Sequence, residues 1–148
     1  MKKIKKLMIT AAKGGLRCVK PNDIEKQSIT IKNNGQVWWN AIRTLTIEEQ
    51  EKGFSNNGVK ITEYKNIGRE NAERILQRAA AFLKDRVNTE FNIFVCDAIL
   101  DEIYIEYENG EILFGQLNEF AYQSDEISIF YDNLAEELLI ESLFFFDD

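Results

Sequence analysis

Hydrophobic and polar positions alternate at period two in several short stretches. In "SITIKNNGQVWW", Ile29 and Ile31 alternate with polar residues, and Val37, Trp38 and Trp39 follow Asn34-Gly35. Such alternation puts one set of side chains on a buried sheet face. Asn-Gly suits the two positive-φ positions of a type I′ turn, so the stretch predicts a hairpin. A two-residue loop sets Trp38 opposite Ile31, on the core face, and leaves Trp39 either as an exposed anchor or beneath another element. "IYIEYENGEILF" repeats the device, with Ile103, Ile105 and Tyr107 on one face, Asn109-Gly110 at the turn, and Ile112 and Phe114 returning. Its two-residue loop would bring Glu108 directly against Glu111, a like-charge pair that costs stability. "VKITEY" (Val59 to Tyr64) alternates as a further strand, and "FNIFV" (Phe91 to Val95) is a strand or buried run.

Elsewhere the period lengthens. Ala72, Ile75, Leu76, Ala79, Phe82 and Leu83 fall on one side at helical spacing, which predicts a helix over about Ile67 to Arg86 with Asn66 as its N-cap. Arg69–Glu73 and Glu70–Arg74 are i,i+4 pairs on its wet side. "TIEE" (Thr46 to Glu49) is a capping box that opens a short helix, closed by Gly53, with the "GFSNNG" loop beyond it. Ser124 can cap a helix from Asp125 to about Leu139, with a core stripe of Ile127, Phe130, Tyr131, Leu134 and Leu138. "LFFF" (Leu143 to Phe146) is a last apolar run. The expected fold is α+β: one domain over residues 1–148, with a mainly antiparallel sheet built from two Asn-Gly hairpins and two principal helices packed on one face.

Composition narrows the chemistry. The 148 residues are 45% hydrophobic, with ten Phe, five Tyr and two Trp, enough for one packed core. There is no histidine, which removes Ser-His-Asp and Cys-His nucleophile systems and every zinc site that uses histidine. Cys18 and Cys96 form no CxxC pattern and read as buried free thiols. The apolar run Leu7 to Ala12 stops at Lys13, too short for a secretory h-region, and no run nears the length of a membrane span. A cytoplasmic location is therefore expected, with no membrane contact. "AAKGG" (Ala11 to Gly15) lacks the spacing of a phosphate loop and reads as a turn. Asp97, Asp101 and Glu102 have no metal-loop spacing, so neither a metal nor another cofactor is expected.

Charge changes the picture most. Residues 1–75 hold 15 Lys/Arg and 8 Asp/Glu, whereas residues 76–148 hold 3 and 17. From Val87 to Asp148 no basic residue occurs. Glu102, Glu106 and Glu108 recur on alternate strand positions, with Glu111 across the turn, and Asp132, Glu136 and Glu137 belong to the last helix. Ile129, Leu139 and Ile140 project near Asp132 and Glu136, either as apolar anchors or packed beneath the final apolar run. Such a set serves either solubility or recognition of a basic partner surface. Lys2, Lys3, Lys5 and Lys6 form a small N-terminal basic patch, able to meet the acidic half within the chain or head to tail. The overall pI of about 4.8 argues against direct nucleic-acid binding.

"DNLAEELLIESLFFFDD", preceded by "YIEYENGEILFG", is similar to the ends of small uncharacterised proteins from Gram-positive bacteria and their mobile elements. A compact, histidine-free acidic domain also resembles, as a class, phage anti-CRISPR, anti-restriction and toxin-immunity proteins. The expectation is a non-enzymatic inhibitor that imitates polyanion and occupies the basic groove of a nuclease or other nucleic-acid enzyme. Glu102, Glu106, Glu108, Glu111, Asp132, Glu136 and Glu137 would supply the field, with Tyr104 or Ile129 as the desolvated anchor. The alternatives are a toxin-immunity protein, a small-ligand (nucleotide) binder using aromatic residues with Arg69, Arg74 or Arg78, and a small enzyme with carboxylate chemistry.

Overall fold

A computed structural model describes residues 2–12, 24–53, 58–89, 100–117 and 125–140. Several expected features lie outside them: Cys18 and Cys96, the run Phe91 to Val95, Asp97, the Ser124 cap, the run Leu143 to Phe146, and parts of the Ala11–Gly15 and Gly53–Gly58 segments. The described residues are α+β, with seven strands, β1 (Ile4–Ala12), β2 (Ile24–Lys32), β3 (Gln36–Arg43), β4 (Val59–Asn66), β5 (Val87–Asn88), β6 (Leu100–Tyr107) and β7 (Ile112–Leu117). The helices are α1 (Ile47–Glu51), α2 (Arg69–Leu83) and α3 (Asp125–Leu138).

The strands form one sheet in the order β4-β3-β2-β1-β6-β7-β5, and every neighbouring pair is antiparallel. Beta-branched and aliphatic residues alternate inward along the central strands. Leu7 stands between Ile31 and Ile105, and Ile9 between Ile29 and Ile103. All six are fully buried, each contributing about 1.5–3 kcal/mol of apolar burial. Helices α2 and α3 close this face with Ile75, Leu76, Leu83, Ile127, Leu134 and Leu138, and among the described residues no helix covers the other, open face.

Both hairpins differ from the expected register by one residue. In the first, Ile31 pairs with Val37, Thr30 with Trp38 and Ile29 with Trp39. The loop therefore holds Asn33, Asn34 and Gly35, and Gly35 takes φ 103°. A one-residue slip turns every following side chain over, so Trp39 is buried and Trp38 faces outward. The cause is tertiary: the Gly35 carbonyl accepts from the Ile67 N–H at 2.9 Å, docking the turn onto the junction of β4 and α2. A Cβ at residue 35 would sit 2.7 Å from both the Asn66 side chain and the Gly68 backbone, so the close approach admits only glycine.

The second hairpin pairs Glu106 with Ile112 and bonds the Tyr107 N–H to the Glu111 carbonyl. Glu111 therefore faces Tyr107, and Glu108 leaves the ladder to donate its N–H to the Lys3 carbonyl at 2.9 Å. The expected Glu108–Glu111 confrontation is not formed. Ile112 and Phe114 lie on the open face, while Leu117 takes the core position.

Helix starts follow local chemistry unequally. Thr46 and Glu49 complete the capping box of α1. At α2 the N-cap is Gly68 and not Asn66, whose side-chain Oδ1 accepts from the Gly68 N–H at 2.9 Å.

Candidate functional site

The residues singled out by charge fall on two opposite sides of the sheet. Glu102, Tyr104 and Glu106 occupy alternate positions of β6 on the open face, with Glu108 and Glu111 at the adjoining turn. Ile129, Asp132, Glu136 and Glu137 belong to α3, which covers the core face. They do not form one continuous anionic region.

On the hairpin, the protein's own N-terminus meets the acids. Lys2 pairs with Glu111, and Lys5 lies 3.6 Å from Glu106. The bond from Lys2 holds the Glu111 carboxyl below its ordinary value and raises the Lys2 ammonium. Asn33 donates to Glu108 at 3.1 Å, and the Tyr104 hydroxyl donates to Glu106 at 3.2 Å. Burial, and then that carboxylate, push the Tyr104 hydroxyl up. Glu102 stands exposed in β6 between Thr10 and Gln116. Its chain neighbour Asp101 points to the other side, buried, and accepts from the Tyr131 hydroxyl.

On α3 the acids divide again. Glu137 turns toward α2, bonded by Arg78 and 3.8 Å from Arg74, so it is a rung between the helices. Arg86 bonds Glu126 at 2.7 Å. Asp132 and Glu136 stay exposed, without an ion pair among the described residues. Spacings of three and seven from Ile129 place Asp132 and Glu136 along one outer side of the helix, and Leu139 follows just past its end. Beside this stripe, α2 and α3 enclose an apolar groove of about 590 Å³. Phe82 and Phe130 stack at 4.5 Å within it, and Ile129 and Glu136 stand at its rim.

The end of α3 is built with unusual care. The Leu139 N–H donates to the Glu136 carbonyl and the Ile140 N–H to the Ala135 carbonyl, the pairing of a Schellman cap. Lys65 reaches from β4 to donate to the carbonyls of Leu138 and Leu139 at 2.8 and 2.6 Å. Ile140 is carried inward and buried by this turn, so of its two expected roles it is not an exposed anchor. Leu139 goes the other way: it is 75% exposed at φ 55°, where glycine is the usual residue. Ile129 is 57% exposed. The sequence marked Leu139 as projecting near Asp132 and Glu136, but periodicity could not reveal its left-handed backbone, because the helix ends at Leu138.

Among the described residues no group of three or more His, Cys, Asp or Glu could hold a metal ion, and no helix is long and apolar enough to cross a membrane. No protein-family model, curated protein or solved structure matches the chain.

Proposed function

We propose that this protein is a non-enzymatic binding protein whose outer α3 stripe occupies a basic, partly apolar groove on a protein partner. Such a groove is typical of an enzyme that handles nucleic acid, and covering it would inhibit that enzyme. The reading is carried by Leu139. A β-unbranched leucine in the left-handed region costs about 1–2 kcal/mol against the right-handed default, and most of its surface faces water. Folding gains little from it, so its retention fits a contact made with something else. Ile129 repeats the apolar exposure, with Asp132 and Glu136 between them as the charged part of the contact. The hairpin carboxylates take a smaller share, because Lys2 and Lys5 already meet Glu111 and Glu106.

Capture from a host lysate at low salt, followed by a rising salt gradient, tests the reading when two baits run beside the wild type. Leu139→Gly relieves the backbone and removes the anchor, so the bait should be as stable as the wild type or more so, yet lose the partner. Asp132→Asn with Glu136→Gln should slow association with the captured partner and flatten its salt dependence. A partner held equally by all three baits would remove α3 from consideration.

A second reading rests on a separate observation. A hollow of about 780 Å³ between the start of β1 and α2 is lined by Lys2, Arg74, Arg78, Lys84 and Tyr107, a set suited to a small anionic molecule. Mass spectrometry of ligand released by heating distinguishes it: a stoichiometric phosphorylated compound would favour this hollow over α3.

A further inference from the structure

On strands β1 to β4 the open face of the sheet carries the opposite sign of charge from the chain as a whole. In the paired register, its outward positions on β1 to β4 include Lys6, Lys26, Lys32 and Lys60 and no acidic residue. Glu63 of β4 pairs with Trp39 on the core side, and Glu25 sits at the irregular start of β2. None of the four lysines forms an ion pair among the described residues. Acids begin only at β6, where Glu106 stands opposite Lys6 and Glu102 opposite Thr10. In a chain of net charge −7, lysines gathered on the outward side of β1 to β4 have a use other than solubility.

The patch is organised around an aromatic platform. Tyr64, Trp38, Thr30 and Met8 form one cross-strand row over β4, β3, β2 and β1. The Trp38 and Tyr64 rings lie 5.1 Å apart, Tyr64 is half-exposed, and the Lys32 ammonium sits 5.0 Å from the Trp38 ring centre. A basic hollow lies on each side of this row. One, of about 210 Å³, has Lys26 and Lys60 at its walls, with Ser28, Asn40 and Thr62 supplying hydroxyl and amide groups. The other, of about 360 Å³, is lined by Lys5, Lys6, Lys32, Asn33, Asn34 and Glu106, the last of which pairs with Lys5. The six residue steps from Lys26 to Lys32 separate the two by about 20 Å along the strand direction.

The geometry points to a second binding site on this open sheet face, for single-stranded nucleic acid. Bases stack on Trp38 and Tyr64, and the backbone phosphates settle against the lysines at either end. Stacking platforms flanked by basic grooves are the physical requirement for binding an unpaired strand. The spacing of the two hollows calls for a chain of several nucleotides and not a mononucleotide. A duplex buries its base faces and would leave the platform unused.

Fluorescence anisotropy with labelled oligothymidylate and oligouridylate at low salt tests the site on the full chain. Binding is expected, with Trp38→Ala or Tyr64→Ala weakening it about ten-fold or more. Since an aromatic variant could disturb the sheet, Lys26→Gln with Lys60→Gln provides the independent arm, as both side chains are exposed. That pair should lower the slope of log affinity against log salt by about 1.4, roughly 0.7 for each phosphate that is no longer neutralised. Circular dichroism confirms that each variant is folded. The proposal is overturned if neither oligonucleotide binds, if a duplex of equal length binds as tightly, or if the lysine pair leaves the slope unchanged. It is also overturned if sedimentation shows a dimer that Tyr64→Lys dissolves, since the face would then belong to a second copy of the chain.

Discussion

At the scale of single residues, the buried polar pair of β2 and β3 is the most exacting feature. The Trp39 indole N–H donates to the Gln27 side-chain oxygen at 3.0 Å, with both residues buried. Ala11 and Ala41 flank Gln27 on the neighbouring strands, and their small side chains leave room for the amide. Gln27→Met keeps the volume and removes the acceptor, so a buried N–H is left without it. The expected loss is about 1–3 kcal/mol, read as a lower urea midpoint with unchanged slope. In a Trp39→Phe background the same substitution should cost less, because the donor is gone. Equal costs in the two backgrounds would mean that the pair contributes nothing beyond its packing. The sequence announced two tryptophans on opposite sides of a strand, but it put Trp38 on the core face and left Trp39 open between exposure and burial. Their sides depend on whether the loop has two residues or three, and Asn33 is compatible with either.

At the scale of elements, what could be read depended on how local the cause was. The α1 capping box is contained within four residues, and it forms as the spacing of Thr46 and Glu49 suggests. The strands of the two hairpins were legible because alternation is a local signal, whereas their turns were not. Gly35 answers to Ile67, and Glu108 to Lys3, through bonds between residues distant in sequence. The same limit applies to the acids, whose sides and partners follow from strand order. Helix α1 also supplies a pH test. Arg43 forks onto Glu49 at 2.8 and 3.3 Å, and the Thr46 backbone N–H adds a third bond. The Arg43 bonds, followed by the Thr46 N–H, lower the Glu49 carboxyl from 4.5 to about 2. A depressed acid stabilises the fold fully above its unfolded value and ceases to do so as pH falls through its folded value. Glu49→Gln should therefore lower stability by a constant amount above about pH 4.5, with the gap to the wild type closing toward pH 2. Denaturant midpoints taken across that range check it, and a gap that widens on acidification would assign the pair no stabilising role.

At the scale of the whole molecule, the charge split along the chain becomes in part a split between two sides of one sheet, with Glu102 and Glu106 of β6 left on the open face. Strands β1 to β4 come from the basic half and present lysines outward, whereas α3 comes from the acidic half and covers the core face. Screening then decides which charge a ligand feels. At about 0.15 M salt the Debye length is roughly 8 Å, less than the thickness of a sheet with helices packed on it, so a strand laid over β2 to β4 meets mainly lysines. At about 0.01 M it grows to roughly 30 Å, and the net charge of −7 acts against the same ligand. Oligonucleotide affinity plotted against salt on logarithmic axes should therefore bend. It should fall steeply from about 0.1 M upward, where counterion release dominates, and flatten toward about 0.01 M, where repulsion by the acidic side offsets the gain. Asp132→Asn with Glu136→Gln reduces the net charge to −5 without touching the open face, and should restore part of the missing low-salt slope. A straight line for the wild type, or a bend indifferent to those two carboxylates, would mean that the two sides do not act on one ligand together.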